Sequence, residues 1–173
     1  MKLLIDGNIL LDVLQKREPH FASSALIWKL CETEQAEGFV SALTFANLVY
    51  VMRRELTAEM IADVLKKLSL IFRFTDLTAA DLDHAASLQW RDFEDAVQAV
   101  TAQRLHADAI ITRNVRDFKE SRAPAFTPDE FLNRLLTNDT PIVETNLTDE
   151  EKEIIRAGRI EYKTGGYIPL DEL

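Results

Sequence analysis

The 173-residue sequence has a single cysteine, Cys31, so neither an internal disulfide nor a thiolate metal cluster can form. Nothing around Cys31 marks it as a nucleophile, and it reads as a core residue of a helix. No apolar run is long enough to cross a bilayer, and the opening "MKLLIDG" reaches Asp6 before the apolar stretch of a signal peptide could develop. The expectation is a cytoplasmic protein with no membrane partner. Basic residues are in deficit: 20 Lys and Arg stand against 29 Asp and Glu, a formal net charge of -9. Such a chain repels polyanions at long range, which argues against nonspecific DNA coating and requires any nucleic acid to be met by a local basic patch. The three histidines, His20, His84 and His106, are scattered on predicted helices without metal-ligand spacing. Internal repeats and low-complexity tracts are missing too.

The sequence does have a composition of 47% hydrophobic and 28% charged residues, enough for one main domain with a sizeable core and an appendage. Short β-like runs at 2–5, 38–42, 71–77, 107–112 and 123–127 alternate with helical patterns at about 9–16, 20–36, 44–55, 58–69, 79–89, 93–106 and 128–136. This alternation predicts an α/β domain with a mainly parallel central sheet. Helix starts carry their own signals. Thr127-Pro128-Asp129-Glu130 spells a capping box with proline at the first helical position, and Thr78 with Asp81 is a weaker version.

In "KLLIDGNILLDVL" (2–14) a carboxylate follows an apolar strand directly. Open parallel sheets bind ligands at the carboxyl ends of their strands, where loops expose polar groups and helix N-termini face the crevice. Asp6 occupies such an end, Gly7 permits a sharp turn, and Asn8 is placed to cap a helix starting at Ile9. The plain alternative is that Asp6 only solvates the strand end. A second polar cluster shifts the balance toward a site. In "WRDFEDAVQAVTAQRLHADAIITRNVRDF" (90–118), Asp95 enters a helix whose Ala96, Ala99 and Ala102 form a close-packing face. That helix feeds a strand ending in Thr112-Arg113-Asn114, with Asp117 just beyond. Asp92 and Asp95, three apart, share one face of the first turn, although capping alone would account for Asp92.

Together "LLIDGNILLDVL", "SALTFANLVYVMRR" and "DFEDAVQAVTAQRLHADAIITRNVRDF" resemble the PIN domain, and in particular the bacterial PIN proteins that include the VapC toxins of toxin–antitoxin pairs. The likeness spans residues 1 to about 136. It implies a three-layer α/β/α sandwich, metal-dependent hydrolysis of RNA phosphodiesters (tRNA or mRNA), an antitoxin partner and a homodimer. Of the family's acids, the first falls at Asp6, the third at Asp95, and the one after the late strand at Asn114 or its replacement Asp117. The second, a glutamate in the family, falls at Asn47. Asn47 shares a helical stripe with Leu43, Tyr50 and Val51, which turns an uncharged amide inward in search of a partner. Asp92, Asp117 and Asp12 can compensate for the charge it lacks.

Phosphodiester hydrolysis needs an aimed nucleophile and stabilisation of phosphoryl charge, which Mg²⁺ or Mn²⁺ held by oxygen ligands supplies. The resemblance implies Asp6 and Asp95 as primary ligands, Asp92 and Asp117 as further ones, Asn114 and Thr112 as orienting groups, and Asn8 as the residue holding the first turn. Arg113, Arg116, Lys119 and Arg122 recur every three residues after the late strand, and Arg53 and Arg54 end the helix bearing Asn47. These six are the candidate RNA-binding cations.

Residues 137–147 read as a linker and 148–173 as a charged helix with an extended end, loosely similar to antitoxin C-termini. From 137 onward there are nine acids and four bases. The tail's excess charge could cover the basic run and Arg156, Arg159 or Lys163 could reach the acidic pocket, so self-inhibition by residues 148–173 is expected. A catalytically weak PIN protein that binds RNA or a partner is the alternative function. Phosphotransfer proteins of haloacid-dehalogenase or receiver type are disfavoured: the first expects an aspartate where Asn8 stands, the second adjacent acids where Ile5-Asp6-Gly7 stands.

Overall fold

Leu3, Leu4 and Ile5 are consecutive and each no more than 1% exposed. A strand can bury successive side chains in this way only when both sheet faces are covered. The computed structural model describes residues 1–137 together with Glu153, and in it β1 (Lys2–Ile5) is the central strand of a five-stranded sheet of order β3-β2-β1-β4-β5. The others are β2 (Glu37–Ser41), β3 (Arg73–Thr75), β4 (Ala109–Ile111) and β5 (Ala125–Phe126). All four pairings are parallel, with Leu3 opposite Gly38 on one side and Ala109 on the other.

The helices are α1 (Gly7–Leu14), α2 (Phe21–Glu32), α3 (Ala42–Met52), α4 (Ala58–Ile71), α5 (Ala79–Leu88), α6 (Phe93–Leu105) and α7 (Pro128–Thr137), and a 3-10 turn spans Val115–Phe118. Strand alternation divides the core. Leu3, Ile5, Val40 and Ile111 join side chains of α1, α2, α3, α4 and α7, while Leu4, Phe39 and Ile110 meet Ala99 and Ala102 of α6. The result is the expected α/β/α layering. The small face of α6 does pack closely, with Ala96 and Ala102 at 0% exposure. Gly38 has a similar reason: a Cβ there would stand 2.6 Å from the Phe72 ring and 2.7 Å from Cys31 Sγ. Cys31 itself is buried, and burial pushes its thiol up to about 12.

Several boundaries differ from the sequence reading. Helix α1 starts at Gly7, not Ile9, because Asp6 already has the extended N-cap conformation (φ -71, ψ 149), so Asn8 lies inside the helix and its side chain serves elsewhere. Helix α2 stops at Glu32 rather than 36, where Glu34 takes the left-handed φ of 60 and returns the chain to β2. Ala42 and Ile71, read as strand residues, belong to α3 and α4. The buried stripe of α3 is Thr44, Leu48 and Met52; Tyr50 is 51% exposed, and Asn47 is half-buried. Both capping boxes form: Thr78 with Asp81, and Thr127 with Glu130. No described helix is long and apolar enough to cross a membrane. The linker expected at 137–147 and the tail at 148–173 lie outside the described residues, Thr137 and Glu153 apart.

Candidate active site

The strand order reverses direction at β1, since β2 leaves on one side and β4 on the other. This is the switch point where loops diverge and a crevice opens at the carboxyl ends. Asp6 follows β1 there, and its backbone N–H still bonds Ile111 O of β4 at 3.0 Å, extending the ladder by one residue. The residue is only 8% exposed. The Thr112 hydroxyl donates to Asp6 Oδ2 at 2.6 Å, Asn8 Nδ2 to the same oxygen at 2.5 Å, and Gln98 Nε2 to Oδ1 at 3.3 Å. Three donors, from α1, from α6 and from the residue just after β4, fix one carboxylate.

The bracing continues outward. Asn8 Nδ2 also reaches Thr112 Oγ1 at 3.3 Å, Asn8 Oδ1 accepts from Arg113 N, and Thr112 Oγ1 accepts from Asn114 N at 3.0 Å. Asn114 thus enters the network through its main chain, while its residue is exposed. Gly7 allows α1 and α3 to approach, since a Cβ would meet Thr44 Cγ2 at 3.3 Å.

Helix α6 brings the second group of acids. Asp92 caps it, Oδ1 accepting from Glu94 N at 2.9 Å and Asp95 N at 3.4 Å. Asp95, half-buried in the first turn, has its carboxyl pushed up to about 7, first by burial and then by the charges of Asp92, Asp6, Asp117 and Glu94. Negative charge therefore converges on Asp95 from β1, from its own helix turn and from the 3-10 turn after β4. Glu94 is also raised, by burial and by Asp6 and Asp92, against the lowering effect of a hydrogen bond from Asn47 Nδ2 at 2.7 Å.

Among the described residues, no three His, Cys, Asp or Glu side chains stand arranged to hold a metal ion. The donor set still fits a hard divalent cation: it is all oxygen, it is crowded with like charge, and Gln98 Oε1 is a buried acceptor with no donor. Asp6, Asp95 and the neighbouring acids are the residues that could hold one.

The basic run divides rather than forming a single stripe. Arg113 Nη1 lies 3.2 Å from Oδ1 of the fully buried Asp12, an ion pair without hydrogen-bond angles; the other Asp12 oxygen accepts from Ser24. Arg116 and Lys119 line a cleft of about 600 Å³ together with Trp90, Arg91, Asp92 and Asp117. Arg122 lines a different hollow with His84 and His106. Arg53 and Arg54 sit over the Tyr50 ring, 4.2 and 5.6 Å from its centroid.

Glu94, Gln98 and Trp90 were not singled out from the sequence. Gln98 had a signal, a long polar side chain inside "AVQAV" three residues after Asp95, where i,i+3 spacing shares a face. Glu94 had a fainter one, the inward amide of Asn47 that needed a partner.

A family model described as PIN domain matches residues 2–116. Solved structures are similar as well. VapBC2 from Rickettsia felis, bound to a DNA fragment from its promoter, matches with a TM-score of 0.58 at 17% identity, over 73% of this chain and 98% of that one. VapBC-1 from nontypeable Haemophilus influenzae gives 0.58 at 18%, over 75% and 99%. Mycobacterium tuberculosis VapC20, a sarcin-ricin loop cleaving toxin, gives 0.51 at 14%, over 62% and 86%. At these identities the likeness is one of fold. No curated protein matches the sequence.

Proposed function

Because the chain belongs to the PIN-domain family, we propose that it is a divalent-metal-dependent endoribonuclease and the toxin of a toxin–antitoxin pair. The observation that carries the reading is the convergence of carboxylates on Asp95, whose carboxyl is raised to about 7 by burial and then by Asp92, Asp6, Asp117 and Glu94. Acids crowded at the mouth of a sheet repel one another, and a bound cation is what relieves that repulsion. A bound Mg²⁺ or Mn²⁺ supplies Lewis acidity toward a phosphoryl oxygen and activates an attacking water.

The chain's own residues do the rest. Thr112, Asn8 and Gln98 hold the Asp6 carboxylate in one orientation, so that its charge need not reorganise when a substrate arrives. Asp117 and Asp92 line the 600 Å³ cleft, and Arg116 and Lys119, which line it too, receive RNA phosphates flanking the cut. An antitoxin partner is supported by the similar structures, which include VapBC complexes. A binding protein that does not cut is the second reading, favoured by the uncharged amides at Asn47 and Asn114.

The test is incubation of the full chain with total RNA and with tRNA in Mg²⁺, Mn²⁺ or chelator, beside the Asp6→Asn/Asp95→Asn variant. Cleavage that needs the ion and both carboxylates is expected. A double variant that cleaves as fast as the parent, with no effect of chelator, removes the nuclease assignment; RNA binding without cleavage at any metal concentration selects the second reading.

A further inference from the structure

Asn47 and Glu94 come from helices on different parts of the chain, α3 after β2 and the first turn of α6, and meet through a 2.7 Å hydrogen bond from the amide to Glu94 Oε1. We propose that Glu94 is a member of the metal-binding carboxylate set and that Asn47 is the positioning residue that aims it. The inference rests on the nuclease reading above and deepens it.

Glu94 is held at two points. Asp92 Oδ1 accepts its backbone N–H at 2.9 Å, fixing the main chain at the helix start, and Asn47 fixes the end of the side chain. Among the described residues Oε2 makes no hydrogen bond, so one oxygen is anchored and the other is left for a ligand. The anchoring is costly as packing alone. It keeps a half-buried carboxylate within the field of Asp6 and Asp92, where another negative charge is repelled unless a cation neutralises it. A solvated glutamate would simply turn outward.

A separate feature points to the same ligand. Gln98, one turn along α6 from Glu94 and Asp95, is 1% exposed; its Nε2 donates to Asp6 Oδ1, while its Oε1 finds no donor. A buried orphan acceptor is expensive, and the water shell that a hard cation retains is a source of donors of the kind it lacks. Glu94 and Gln98 lie four apart, on one face of the helix, so both serve the same side of the site. Asn47, with no charge of its own, then selects the rotamer of a residue that has one.

Calorimetric titration of Mn²⁺ into the full chain tests this. Glu94→Gln keeps an acceptor for Asn47 and removes only the charge; it is expected to weaken Mn²⁺ binding about tenfold or more with a melting midpoint in chelator no lower than the parent's, since it removes a charge that Asp6 and Asp92 repel. Asn47→Ala is expected to weaken it as well. The double variant Asn47→Glu/Glu94→Gln, which brings the carboxylate from α3 and the amide from α6, should recover most of the affinity, a rescue that a merely structural hydrogen bond does not produce. Parent-like affinity in Glu94→Gln, while Asp95→Asn loses binding, overturns the role of Glu94 and leaves the nuclease reading standing. Loss without rescue in the double variant overturns the positioning role of Asn47. A parent chain that binds no Mn²⁺ overturns the inference together with the reading beneath it.

Discussion

Asp95 illustrates how a residue crowded by like charge works against the fold that carries it. Its folded-state carboxyl is raised to about 7, so between about pH 4 and 7 the folded chain binds a proton that the unfolded chain has released. Stability from this group is fully present below about pH 4 and is lost as pH rises through 7. In chelator, Asp95→Asn is therefore expected to raise the melting temperature at pH 8, by about 3 °C for each kcal/mol of repulsion removed, and to leave it nearly unchanged at about pH 4. Thermal melts at the two pH values check this; an equal shift at both places the effect in packing rather than charge. That Asp6 and Asp95 come together at the mouth of the sheet could be read from the sequence, because each follows or enters an element at a predicted strand's carboxyl end. Glu94 and Gln98 could not, since their significance depends on how α6 is rotated and on a partner 47 residues away.

At the scale of elements, the alternation of strand and helix was legible because buried parallel strands leave short apolar runs between longer amphipathic patterns. The ends were less so. The start of α1 is decided by the backbone of Asp6, and the end of α2 by a left-handed residue that no apolar pattern announces. The split of the basic run is also a matter of local backbone: Arg116 and Lys119 stay together because side chains three apart eclipse in a 3-10 turn, whereas Arg113 and Arg122 lie before and after that turn and meet other surfaces. Arg113 ties the loop after β4 to α1 through Asp12, a residue at 0% exposure whose pKa is raised by burial despite the attraction of Arg113 and the hydrogen bond from Ser24. Arg113→Ala leaves that carboxylate buried and unpaired, which costs about 3 kcal/mol and lowers the melting temperature by roughly 9 °C. Arg113→Ala/Asp12→Leu, tested by the same melts, should regain much of the loss. No recovery would mean that Arg113 stabilises the loop by packing alone.

For the whole molecule the governing fact is a net charge of -9, of which five units come from position 137 onward. A polyanion approaching from far away is repelled, and at 0.01 M salt, where the Debye length is about 30 Å, this repulsion acts across the molecule. At 0.1 M and above it is screened to about 10 Å, and binding is governed by the cations that touch phosphate. Arg116 and Lys119 are both exposed and both line the cleft beside Asp92 and Asp117. Two contacts to single-stranded RNA give a slope of log K against log salt of about -1.4, shallow for a nucleic-acid protein. Affinity should therefore change little, or even rise, between 0.01 and 0.1 M as repulsion is screened, and fall gently beyond. Fluorescence anisotropy of a short labelled RNA with the Asp95→Asn chain measures this without cleavage. Adding Arg116→Ala and Lys119→Ala should flatten the high-salt slope to no more than the roughly -0.7 that Arg91, on the same cleft, can still supply. If the slope survives that change and disappears instead in Arg53→Ala/Arg54→Ala, the phosphate path runs over the Tyr50 end of α3, and the cleft beside Asp117 is not where RNA enters.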